Sequence, residues 1–172
     1  MAEHSYEGAL IRKHRRSGLL LDANLLLLYQ VGLFDERAIG TFPHTKRYTT
    51  EDYHLLAKWI GRFSSIVTTP NILTEVSNLS GKLGQANLNG FREAFKGKID
   101  VIEEEYCASR QAAASPAFAK FGLTDAGIAS LVRDNDFLVL TDDLPLAQWL
   151  QSKGFGVLNF NHIRQHLWSE QG

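Results

Sequence analysis

The sequence predicts a single α/β domain with a central parallel sheet of about four to five strands, covered by helices on both faces. Three observations carry this. Short, almost wholly apolar runs recur at Leu19–Leu21, Ile66–Thr69, Phe137–Thr141 and Val157–Phe160, the composition of strands buried on both faces. The stretches between them repeat apolar residues at helical spacing, and strands alternating with helices give a parallel, helix-covered sheet. Finally, 172 residues with 44% hydrophobic and 22% charged side chains have the size and composition of one globular domain, without internal repeat, low-complexity block or long linker.

Residues 1–18 are polar and mixed in charge and read as a tail or an added edge element; the domain proper spans 19–168. Leu19 to Asp22 is the first strand, and Asn24 is placed to cap a helix running through Tyr29 to about Phe34. Asp22 and Asn24 interrupt this apolar stretch, and a spanning helix needs about 20 mostly apolar residues, so no membrane segment is expected. Gly40 and Pro43 mark residues 35–47 as a loop. Thr49 and Thr50 before Glu51 and Asp52 start a helix whose core face is Leu55, Leu56, Trp59, Ile60 and Phe63. Ile66–Thr69 is a β-branched strand, and Pro70 suits the first turn of a helix with Ile72, Leu73, Val76, Leu79 and Leu83 inward and Glu75 on the rim. Gln85–Lys98 is amphipathic through Leu88, Phe91, Ala94 and Phe95, with glycines blurring its ends. Val101–Glu105 is ambiguous, its Glu103, Glu104 and Glu105 reading as an exposed acidic run. Gln111–Ala119 is Ala-rich helix, and Thr124 caps the next helix with Asp125 in its first turn. A strand at Phe137–Thr141, a helix at Leu144–Lys153, a strand at Val157–Phe160 and a closing helix at Asn161–Trp168 complete the chain.

Composition narrows the chemistry. A net charge of −1 gives no general attraction to nucleic acid, so a polyanion would have to meet a local basic patch. The single Cys107 makes no internal disulfide, and a reducing, cytoplasmic setting is expected. The basic Arg12, Lys13, Arg15 and Arg16 are not followed by the apolar stretch of a secretion signal. His162 and His166 are one helical turn apart but lack a neighbouring third zinc ligand, so they read as solvated or capping side chains. The P-loop, the dinucleotide-binding Gly-x-Gly-x-x-Gly and the Gly-x-Ser-x-Gly elbow are absent.

Four acids hold the functional information: Asp22, Glu75, Asp125 and Asp143. Asp22 directly follows an apolar strand run and Asp143 stands one residue beyond another, and ligands of open α/β sheets bind beyond the carboxyl ends of the strands. Gathered there, like charges about 4 Å apart repel by roughly 4 kcal/mol at an effective dielectric of about 20. A hard divalent cation removes that cost. The arrangement resembles the PIN-domain family of metal-dependent nucleases through Leu21-Asp22-Ala23-Asn24, Pro70-Asn71-Ile72-Leu73-Thr74-Glu75-Val76, Leu123-Thr124-Asp125-Ala126-Gly127-Ile128 and Leu140-Thr141-Asp142-Asp143. The resemblance runs from about Leu19 to Phe160.

It implies a Mg²⁺ centre, with Mn²⁺ as a substitute, at Asp22, Glu75, Asp125 and Asp143. The family's Thr-x-Asp pattern selects Asp143, but the adjacent Asp142 competes for the ligand role. Asn24 and Thr141 match polar positions that orient ligands or water, and a plain helix cap is an equal reading of Asn24. The implied activity is an endoribonuclease, and many small bacterial members are toxins that cut a structured RNA such as tRNA under the control of an antitoxin protein. RNA, such an antitoxin and a second copy of the chain are thus the expected partners, with Arg12, Lys13, Arg15, Arg16, Lys46 and Arg47 as candidate phosphate contacts. Two rivals stand beside this: a non-catalytic module of the same fold that binds RNA or protein, and a phosphatase of the haloacid-dehalogenase type. The latter wants a second Asp two residues after the first, where this chain has Asn24.

Overall fold

The computed structural model describes residues 6–170, with side chains described throughout except at 85–86 and 166–170, so His166 falls outside the described side chains. Strands β1 (Leu19–Leu21), β2 (Ile66–Thr68), β3 (Glu103–Glu104), β4 (Leu138–Thr141) and β5 (Val157–Asn159) form one all-parallel sheet in the order β3-β2-β1-β4-β5. The helices are α1 (Tyr6–His14), α2 (Ala23–Phe34), α3 (Thr50–Ile60), α4 (Pro70–Ser80), α5 (Gln85–Ile99), α6 (Ser109–Ala113), α7 (Phe118–Asp134), α8 (Leu144–Ser152) and α9 (Phe160–Glu170).

From β1 the chain steps to β2 and β3 in one direction, then returns to β4 and β5 in the other. Right-handed crossovers therefore lay α2 to α5 over one face and α7 and α8 over the other. Within these layers α2 contacts α3, α4 and α5, and α7 contacts α8, while α7 also meets α4. The reversal falls between β1 and β4, whose carboxyl ends flank the crevice where such sheets bind ligands. All of β1 is buried, and Leu25, Leu26, Leu27 and Leu28 make α2 apolar around its whole circumference, so it serves as the central helix of its layer. No helix among the described residues is long and apolar enough to cross a membrane.

Several elements differ from the sequence expectation. The stretch expected as a tail or edge element contains α1, which is docked by Leu10 and Ile11 against the core and by particular contacts of His14. His14 is buried, its Nδ1 lies 2.8 Å from the Asp136 carbonyl, and a Cβ at Gly156 would come within 2.7 Å of its Nε2. Gly18, at φ +115°, turns the chain from α1 into β1 against Val67. Asn24 does not cap α2; Asp22 does, through Leu25 N–H. Ala94 is exposed, outside the Leu88, Phe91 and Phe95 face. The acidic run at Glu103–Glu104 is exposed as expected, yet its backbone pairs with β2 as an edge strand. The helical break expected at Thr124 falls at Gly122, with φ +83°, and the helix resumes immediately after it, leaving Asp125 in the first turn of the resumed segment.

Candidate active site

β1, β2, β4 and β5 each pass into a helix within two residues, so the residues at these junctions share one rim. Thr68, Thr141 and Asn159, the last residues of β2, β4 and β5, are all buried and polar. Asp22 sits at the β1–α2 junction with 5% of its surface exposed. One carboxylate oxygen accepts from Leu25 N–H at 2.8 Å; the other accepts from the Thr141 hydroxyl at 2.5 Å and from Asp142 N–H at 3.0 Å. Burial above all, then the charge of Asp142, raises its pKa to about 8 against the pull of those hydrogen bonds.

Asp142 is held on both oxygens. Asn24 donates to one at 3.3 Å; the Tyr48 hydroxyl donates to the other, which also pairs with Arg47 at 2.6 Å. Burial and the neighbouring Asp142 push the Tyr48 hydroxyl well above its ordinary range, which keeps it a donor. The Tyr48 ring has the guanidinium of Arg47 at 5.0 Å and that of Arg164 at 5.4 Å from its centroid. Arg164 in turn grips buried Asp52 through two bonds of 3.0 and 2.7 Å, while Asp52 closes the capping box of α3 with Thr49. Asn161, in α9, donates to the Asp142 carbonyl at 2.8 Å. The loop before α3, the end of β4 and the start of α9 are thereby tied into one wall.

Asp143 caps α8 through Leu146 N–H at 2.9 Å, and its own N–H donates to the Thr141 hydroxyl oxygen at 3.0 Å. Thr141 thus links Asp22 to Asp143. Asp125 is half-buried, and burial first, then the charges of Asp143, Glu75 and Asp142, raises its pKa to about 7. Among the described residues neither the Asp125 carboxyl nor that of half-buried Glu75 has a hydrogen bond or ion pair. Glu75 also lines a shallow cavity of about 330 Å³ between α4 and α7 with Asn71, Thr74, Asn78 and Thr124.

The acids predicted from sequence therefore lie at one end of the sheet in two groups, Asp22 with Asp142 and Asp125 with Glu75 and Asp143, linked through the field of Asp142. Among the described residues no three His, Cys, Asp or Glu side chains stand close enough together to hold a metal ion as placed. The donor chemistry, all oxygen and net negative, suits a hard divalent cation. Both oxygens of Asp125 and Glu75 and the second oxygen of Asp143 have no competing partner among the described residues, so these are the groups able to close on one.

The basic candidates divide. Arg47 reaches the acids and Lys46 is its exposed neighbour, whereas Lys13 pairs with Asp136 at 3.4 Å and Arg12, Arg15 and Arg16 lie at the opposite end of the sheet. Tyr48, Asp52, Asn161 and Arg164 are site residues that sequence reasoning misses. Only Asp52 carried a signal, as half of a capping box, and that signal concerns the helix and not the site. Neither the models of known protein families nor the curated proteins include a match to this chain.

Proposed function

We propose that this chain is a metal-dependent endoribonuclease of PIN type, with Asp22, Glu75, Asp125 and Asp143 as its acidic centre and Asp142 beside them. The observation that supports it most is the gathering of these acids at the carboxyl end of the sheet, with the oxygens of Asp125 and Glu75 unclaimed among the described residues and burial and the neighbouring acids holding the Asp125 carboxyl above its ordinary range. Acids from four separate stretches of chain crowd the switch point of a parallel sheet, a costly arrangement that a divalent cation relieves. Mg²⁺, with Mn²⁺ as substitute, would be held by Asp22, Glu75, Asp125 and Asp143. When bound, it supplies a water of lowered pKa and neutralises charge developing on a phosphodiester.

The chain's own residues supply the rest. Thr141 and the Asp142 N–H fix the orientation of Asp22, and Asn24 fixes that of Asp142. Arg47, paired with Asp142 and half in solvent, is the cation that offsets the negative rim for an arriving phosphate. A structured RNA such as tRNA as substrate, an antitoxin protein as inhibitor, homodimerisation and a cytoplasmic setting belong to the same proposal. A second reading, a non-catalytic RNA- or protein-binding module, is favoured by one observation: among the described residues no three acids enclose an ion as placed, and Asp142 is already satisfied by Arg47, Tyr48 and Asn24.

Asp125→Asn and Glu75→Gln decide between them, because neither change removes a hydrogen bond seen among the described residues. Purified parent and variants are incubated with total RNA and Mg²⁺, with EDTA as control. Cleavage by the parent that EDTA and either variant abolish is expected; EDTA-resistant cleavage shared by all three overturns the mechanism, and binding without cleavage by any of them favours the module.

A further inference from the structure

The end of the sheet opposite the acids is strongly basic. Arg15 and Arg16 lie just before β1 and Arg62 just before β2, and together with Arg12 they line an open groove of about 610 Å³ whose remaining walls include Ile11 and Phe63. Among the described residues no carboxylate lines it. In a chain of net charge −1, four guanidiniums in one groove are a concentrated field and not an average property of the surface. Their supports are also fixed. Ser64 N–H donates to the Arg15 carbonyl at 2.9 Å and its hydroxyl to the Arg16 carbonyl at 3.1 Å, tying the α1–β1 and α3–β2 connections together. The Arg62 guanidinium lies 5.2 Å from the Trp59 ring centroid, which restricts where its long side chain can point.

We propose that this groove is a second, non-catalytic docking site for the phosphate backbone of RNA. The choice of RNA over other phosphate carriers rests on the proposed nuclease function; the phosphate chemistry rests on the groove itself. Guanidinium forks match phosphate oxygens in pairs, where lysine offers only a point charge, and the cations of this lining are all arginines. A groove of this volume, with the forks of Arg15, Arg16 and Arg62 beside Arg12, is larger than one phosphate needs and suits consecutive phosphates of a strand. Its position adds a consequence. β1 has three residues, so at about 3.3 Å per residue the two ends of the sheet are separated by roughly 10 Å of strand plus the flanking turns. An RNA that fills both sites must run along the side of the domain, which a folded or long RNA can do and an oligonucleotide of two or three nucleotides cannot. The groove therefore selects for substrate size and fold, while the acids act on any phosphodiester that reaches them.

The test uses the full chain and the double variant Arg15→Glu/Arg62→Glu, with Arg15→Lys/Arg62→Lys as the conservative pair and Lys96→Glu, on the exposed side of α5, as a charge control. Binding of a labelled folded RNA, measured in EDTA across a salt series, reads docking apart from cleavage. The expected result is a weaker affinity for the reversed pair, with the slope of log K against log salt flattened by roughly 0.7 to 1 for each phosphate that is no longer neutralised, partial retention in the Lys pair, and no change in Lys96→Glu at unaltered melting temperature. With Mg²⁺ present, cleavage of the folded RNA should fall while that of such a short oligonucleotide stays at the parental rate. Equal affinity and salt slope for parent and reversed pair overturn the proposal. So does binding of anionic phospholipid vesicles or inorganic phosphate that depends on these arginines while RNA binding does not. Groove-dependent RNA binding by a protein that never cleaves sinks the nuclease reading and leaves this site standing.

Discussion

Replacing Asp125 by Asn should make the metal-free protein more stable, and more so as pH rises. The Asp125 carboxyl has its pKa raised from 3.8 to about 7 by burial and by Asp143, Glu75 and Asp142. A raised acid binds more protons in the native than in the unfolded state between these two values, so stability falls as pH climbs through that window. Below pH 3.8 the penalty is absent; above about 7 it is complete. About three units at roughly 1.36 kcal/mol each would give roughly 4 kcal/mol, and the carboxyl's remaining solvent exposure reduces this to about 2 kcal/mol. Asn carries no charge to desolvate or repel and forfeits no hydrogen bond among those described. In EDTA, parent and variant should melt together near pH 4 and separate to roughly 4–8 °C at pH 8, at about 2–4 °C per kcal/mol for a domain of this size. Added Mn²⁺ or Mg²⁺ should then stabilise the parent by RT ln(1 + [L]/Kd), about 2.7 kcal/mol at a hundredfold excess over Kd, and the variant less. Melting curves by circular dichroism across pH settle it. A variant less stable than the parent at pH 8, or an offset independent of pH, refutes the account of Asp125 as a strained carboxylate.

Three further outcomes follow from the geometry. Arg164→Met leaves Asp52 buried without its partner and should cost about 3–5 kcal/mol in urea unfolding, against a change near zero if the pair is ornamental. Gly32→Ala drives a methyl to 2.2 Å from the Tyr53 ring and should destabilise by roughly 1–3 kcal/mol, whereas Gly97→Ala, with open space on helix α5, should stabilise by about 0.4–1 kcal/mol; thermal melts of the two should move in opposite directions. Asp143→Asn should abolish metal-dependent RNA cleavage while Asp142→Asn leaves much of it, because Asp142 is taken up by Arg47, Tyr48 and Asn24 and Asp143 keeps one oxygen unclaimed; the reverse ranking in a gel assay would shift the ligand role by one residue.

The parts of the fold that sequence made legible are those fixed by local pattern. Leu19–Leu21 and Leu138–Leu140 are buried on both faces and so wholly apolar; Thr49 and Asp52 satisfy each other's backbone within one turn; Pro70 sits where α4 has no use for an N–H. The missed parts depend on partners far along the chain. α1 is held by Leu10 and Ile11 on the core and by His14 against Gly156, across more than 140 intervening residues, and two apolar residues in a charged stretch do not announce it. β3 is a strand only because Glu103 and Glu104 pair with Val67 and Thr68 at the sheet's edge, where side chains face solvent and carry no alternation. The break in α7 went to Thr124 because a capping threonine is a stronger local signal than a glycine, yet only Gly122 accommodates φ +83° without strain.

The same division holds at the site, and it explains where the strain collects. Strand ends announce Asp22 and Asp143, but the wall around the neighbouring Asp142 comes from residues 48, 52, 161 and 164, which no local pattern joins. Asp22 and Asp143 are both helix caps, the plain structural reading of an acid in that position, and this does not compete with membership of the site. Each receives a backbone N–H from the first turn of its helix, and the partial positive charge at a helix N-terminus favours the carboxylate form. α2 and α8 begin at adjacent strands, so the fold aims two such termini at one crevice and makes it tolerant of negative charge. Asp125 and Glu75 receive no capping hydrogen bond of this kind among the described residues. Asp22 is raised further still by its deeper burial, but a change there forfeits three hydrogen bonds; Asp125, in the field of Asp143, Glu75 and Asp142, is the acid at which a change to Asn releases repulsion without giving up a bond seen among the described residues.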